Sequence, residues 1–105
     1  MNKIAAIGPK SLILGLKAFG IDVFFAVSSE EALKHLKEIK AESRHSVILV
    51  IKELLDGLPK EEYKKLYAEH LPVILAIPGL KADDKDYLLK LKKLAEKAVG
   101  SDILK

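Results

Sequence analysis

The chain contains no cysteine and no tryptophan. Without a thiol, a disulfide scaffold, a thiolate zinc site and a cysteine nucleophile are all excluded. Long apolar runs are missing too. Residues 47–51 and 73–77 are the most apolar stretches, and they fall far short of the roughly 20 residues a spanning helix needs. The opening Met1-Asn2-Lys3-Ile4 enters a strand-like run with no signal-peptide layout, so a soluble, intracellular protein is expected. Charge of one sign is also scarce. Eighteen Lys and Arg face 15 Asp and Glu, for a net +3, a mixed surface rather than the basic footprint of a nucleic-acid binder.

What is present is apolar material, 50% of 105 residues, enough for the core of one domain. Four β-rich runs organise it, at 4–7, 23–27, 46–51 and 72–77. They are continuously hydrophobic rather than alternating, as in parallel strands buried on both faces. Segments of helical period separate them, the βαβ signature.

The first helix is predicted over 11–19, with Leu12, Leu16 and Phe19 on one face and Gly20 as its stop. The second has the clearest start. Ser28 caps, Glu31 reaches back, and Ala32, Leu33, Leu36 and Ile39 follow at helical spacing. A third begins near Pro59 and puts Tyr63, Leu66, Tyr67 and His70 on one stripe. From 83 to 99 the sequence reads as one long amphipathic helix, acidic at its start and lysine-rich toward its end. Leu88, Leu91, Ala95 and Ala98 form a narrow, alanine-rich seam amid Lys90, Lys92, Lys93 and Lys97. Such a seam suits a helix covering its own sheet, and equally one docking on partner helices.

The glycines near the start raise the question of a phosphate site. A dinucleotide fingerprint needs G-x-G-x-x-G, whereas Gly8, Gly15 and Gly20 stand seven and five residues apart. Gly15 and Gly20 have the first spacing of a P-loop, but Ile21-Asp22 replace its Lys-Ser pair. Pro9 removes a backbone donor where amides would be needed. Gly8 and Gly20 therefore read as a turn and a helix stop, while Gly15 falls inside the predicted helix, where close packing is the reason a glycine would stand.

A receiver domain needs acids after the first strand and an Asp ending the third. Here the strands end in Ile7-Gly8-Pro9 and Ile51-Lys52-Glu53. No G-x-S-x-G elbow occurs. His35, His45 and His70 are too far apart for a helical ligand pair and read as surface or rim histidines. The carboxylate pairs Glu30-Glu31, Glu61-Glu62 and Asp83-Asp84 sit at helix starts, where the dipole explains them. No catalytic residue, cofactor or metal is expected. A binding or assembly role follows.

Several elements, in order, carry a resemblance. They are Gly15-Leu16-Lys17-Ala18-Phe19-Gly20-Ile21, Ser28-Ser29-Glu30-Glu31-Ala32, Ile77-Pro78-Gly79 and Ala98-Val99-Gly100-Ser101-Asp102-Ile103. Together they resemble the F subunit of the V/A-type rotary ATPases, the small central-stalk subunit. Leu16-Lys17 stand for that family's Phe-Arg, and Ser101 for an aromatic. The resemblance implies an α/β fold, a four-stranded parallel sheet flanked by helices like a doubly wound receiver, with a C-terminal amphipathic helix. It further implies a globular domain over 1–79 and a docking segment over 80–105. It implies a non-catalytic rotor part, peripheral on the cytoplasmic face of a membrane. Such a part binds the coiled coil of the stalk's D subunit, works beside the catalytic A/B head, and couples ATP hydrolysis or synthesis to proton or sodium transport. Leu88, Leu91, Leu94, Ala95 and Ala98, with Lys92, would then face partner helices. The other readings are a receiver-like signalling domain lacking its phosphoacceptor, and a nucleic-acid module using the lysine-rich tail.

Overall fold

A computed structural model describes residues 3–68 and 72–78, together with the helical positions 93, 96 and 97. Four parallel strands form one sheet in the order β2-β1-β3-β4. They are β1 (Lys3–Gly8), β2 (Asp22–Phe25), β3 (His45–Ile51) and β4 (Val73–Ile77). The predicted α/β sheet is therefore present, each strand within two residues of its expected ends. Continuous burial holds for the two central strands: Ala5–Ile7 of β1, and all of β3 save Ser46, are buried. The edge strands are only partly covered, with Phe25 and Ala76 exposed, and among the described residues each has one neighbouring strand instead of two.

The order fixes how the chain winds. Right-handed crossovers place the β1–β2 connection on one face and the next two connections on the other. The β1–β2 connection differs from its prediction. In place of one helix over 11–19, α1 spans only Lys10–Ile13, and Leu14–Phe19 continues as a 3₁₀ segment. Gly15, worth roughly 1 kcal/mol less than alanine in an α-helix, falls where the winding tightens. Three residues per turn align Ile13 with Leu16, and both are fully buried. Phe19 is left 39% exposed rather than on the buried face. Gly20 ends the segment as expected, with φ +80 and its N–H bonded to the Lys17 carbonyl at 3.1 Å.

Helix α2 (Ser29–Glu42) starts where the capping box predicts. The Glu31 N–H donates to Ser28 Oγ at 3.2 Å. The Glu31 carboxylate reaches one residue beyond the cap, accepting from the Val27 N–H at 3.1 Å. Ala32, Leu36 and Ile39 then line the buried face. Ser28→Ala is expected to lower the unfolding free energy by about 1 kcal/mol, read as a shifted urea midpoint with unchanged slope.

Between β3 and β4 the chain forms two helices, not one. Helix α3 (Lys52–Asp56) follows β3 without a break and buries Leu54 and Leu55. Helix α4 (Lys60–Tyr67) begins after Pro59. Ser29 at the start of α2 ties α3 to it by donating from Oγ to the Leu54 carbonyl at 2.7 Å. A Cβ on Gly57 would collide with that hydroxyl. Of the α4 stripe only Leu66 is buried, Tyr63 and Tyr67 are exposed, and His70 lies outside the described residues.

Candidate interaction surfaces

In a doubly wound sheet, ligands enter at the carboxyl ends of the strands, where the winding changes direction. Here that point lies between Gly8, ending β1, and Ile51, ending β3. A Cβ added to Gly8 would run into Ile51 Cγ1 and stand 3.3 Å from Ile13 Cγ2. Ile13 and Ile51 are both buried, so aliphatic side chains pack directly against Gly8. Beyond it, Lys52 Nζ pairs with Asp56 Oδ2 of its own helix at 2.8 Å, and both are exposed. Hydrogen bonding and the Asp56 charge raise the Lys52 pKa above its ordinary value. No cluster of His, Asp or Glu among the described residues has the arrangement of a metal site.

A second region lies at the opposite end of the strands. A cavity of about 560 Å³ is lined by Lys3, Lys17 and Arg44 and by Asp22, Glu38 and Glu42, beside Phe24 and His45. Its cations and carboxylates balance, so it offers no field selective for one sign. His45 here corrects the sequence reading: it is buried, not a surface or rim residue. Its Nε2 donates to Asp22 Oδ2 at 2.7 Å, since a carboxylate can only accept. The Phe24 ring meets it edge-on at 6.1 Å. The pair ties the first residue of β3 to the first residue of β2. No sequence pattern announces it, because its members are 23 residues apart.

Exposed apolar side chains mark two further surfaces. Leu14, Phe19, Phe25 and Val27 belong to the β1–β2 connection and to the end of β2, and Lys10 Nζ stands 5.8 Å from the Phe25 ring. On α4, the Tyr63 and Tyr67 rings pack 4.9 Å apart at 38°. Partial burial, then the hydrogen bond and charge of Tyr63, push the Tyr67 phenol up to about 12 from an ordinary 10. A phenol whose pKa rises on folding contributes stability that is fully present below pH 10 and lost as pH rises through about 12. In an ultraviolet pH titration one tyrosine should ionise late, and Tyr67→Phe should abolish that late phase. If all tyrosines of the wild type ionise together near 10, the packed pair is wrong.

The predicted partner-binding residues Leu88, Leu91, Lys92, Leu94, Ala95 and Ala98 lie outside the described residues. Their neighbours Lys93, Glu96 and Lys97 are helical and exposed, and steps of three and four residues put these on one helix face. No helix among the described residues is long and apolar enough to cross a membrane.

Fold and surfaces together define a small receiver-like α/β domain in which Ile51 and Ile13 pack against Gly8 at the end of β1. Its shape matches the crystal structure of the F subunit of the V-type ATP synthase from Archaeoglobus fulgidus. The TM-score is 0.65 at 21% identity, over 72% of this chain and 96% of that one, a likeness that shows the fold. The sequence goes further. Residues 4–92 match the model of the ATP synthase (F/14-kDa) subunit family. The V-type ATP synthase F subunit of Fusobacterium nucleatum is 36% identical over 104 residues, covering 99% of this chain and 97% of that protein. The F subunits of the V-type ATP synthases of Clostridium botulinum and Clostridium perfringens are 33% and 32% identical over 103 residues. Each match spans 98% of this chain, and 98% and 96% of their own lengths. The chain belongs to the ATP synthase (F/14-kDa) subunit family.

Proposed function

We propose that this chain is a non-catalytic central-stalk subunit of a V/A-type rotary ATPase. In this reading it binds the coiled coil of the D subunit, lies within reach of the catalytic A/B head, and helps couple ATP hydrolysis or synthesis to proton or sodium transport. Its place is peripheral, on the cytoplasmic face of the membrane that holds the ion-conducting part. The observation that carries the reading is the match, end to end, to relatives named as F subunits of V-type ATP synthases.

The working division is a body over 1–79 and a docking segment over 80–105. Exposure of Lys93, Glu96 and Lys97 fits it. On a helical projection these positions lie away from Leu88, Leu91, Ala95 and Ala98, so a polar face would meet solvent while the seam meets the partner. Leu94 and Lys92 would flank that contact. Co-expression with the cognate D subunit, followed by gel filtration at micromolar concentration, tests the reading. One peak containing both chains is expected, and two separate peaks would overturn it.

A further inference from the structure

Strand β2 is an edge of the sheet, and no strand lies beyond it among the described residues. The Ala26 N–H bonds to the Gly8 carbonyl at 2.9 Å, which sets the direction of every backbone group along β2. Alternate residues share a side, so the backbone groups of Phe24 and Ala26 turn toward β1 while those of Val23 and Phe25 turn outward. An edge of this kind is a template for a further strand. The flanking side chains make it an apolar one, since Phe25 is 41% and Val27 77% exposed.

One outward group is already taken. His35, reaching over from α2, holds its Nε2 at 3.0 Å from the Phe25 carbonyl. A carbonyl only accepts, so this nitrogen carries the proton and donates. The His35 ring is held in place by Phe24, at 5.5 Å between centroids and 50° between planes. Its Nδ1 is buried without a partner, so the ring is committed to the single contact on the strand edge.

We propose that His35 is an edge guard that keeps β2 from pairing with β2 of a second copy of this chain. The outward groups are self-complementary about a twofold axis through Phe24. Antiparallel pairing would set Val23 of each copy opposite Phe25 of the other and Phe24 opposite Phe24, all apolar cross-strand pairs. Four ladder bonds would form, and two of them need the Phe25 carbonyls that the histidines cover. The guard therefore blocks half of the ladder and puts an imidazole in the path of the incoming strand.

Sedimentation velocity across a concentration series tests this with the full chain. His35→Ala and His35→Leu should strengthen self-association at least roughly tenfold relative to wild type. His35→Leu keeps the contact with Phe24, and it decides the matter if His35→Ala does not fold. His35→Gln, whose amide can still donate, should sediment as wild type. Adding Val23→Pro, which removes an outward donor without touching the β1 ladder, should return the associated variants to monomer. The proposal is overturned if folded His35→Leu sediments as wild type, if His35→Gln associates like it, or if association survives Val23→Pro.

Discussion

Gly8→Ala is expected to destabilise the protein by about 1–3 kcal/mol, and Gly8→Val by more. The added carbon meets Ile51 and Ile13, both buried, so neither can swing aside without disturbing the end of β3 or α1. A shorter unfolded-state repertoire would return only about 0.4–1 kcal/mol, too little to reverse the sign. For a domain of this size each kcal/mol moves the midpoint by roughly 4–8 °C. Gly20→Ala provides the contrast. Nothing stands within 4 Å of a Cβ there, and φ is +80, so only backbone strain of about 1–2 kcal/mol applies. Core variants that shrink Ile51 should rescue Gly8→Ala and leave Gly20→Ala unchanged. If Gly8→Ala is as stable as wild type in urea, Ile51 and Ile13 do not pack against Gly8 in this way.

The second large effect concerns partner binding. Leu91→Glu and Ala95→Glu are expected to weaken binding to the coiled coil of the D subunit by roughly a hundredfold, the scale of an interface hot spot. Their thermal midpoints should stay within a few degrees of wild type, because a charge on a docking seam meets water in the free protein. Should either variant instead unfold the whole chain, the seam belongs to the core and the docking reading fails. Lys93→Glu, on the exposed face, serves as the control and should bind nearly as wild type.

Much of the fold is legible in residue order because its signals are local. Continuous apolar runs such as Val47 to Val50 reveal a buried parallel strand without any knowledge of neighbours. The start of α2 is legible because Ser28 and Glu31 are three residues apart and bond to each other's neighbourhood. What escapes the sequence is non-local or too short to show a period. The five residues of α3 span little more than one turn, so they carry no stripe. The tightening of Leu14–Phe19 depends on where Ile13 and Leu16 must land, not on propensity alone. The His45–Asp22 and His35–Phe25 contacts join positions 23 and ten residues apart, and a lone histidine in sequence says nothing of its partner. Gly8 shows both sides of this. Its spacing from the other glycines argues against a phosphate site, but only the positions of Ile51 and Ile13 give the reason a glycine stands there.

Hydrogen exchange of the chain, measured alone and with the cognate D subunit, locates the partner-binding segment. Binding should slow exchange over 88–98 and leave the carboxyl ends of β1 and β3, around Gly8 and Lys52, unchanged. Absence of any slowing over 88–98, or slowing confined to those strand ends, would contradict the docking reading.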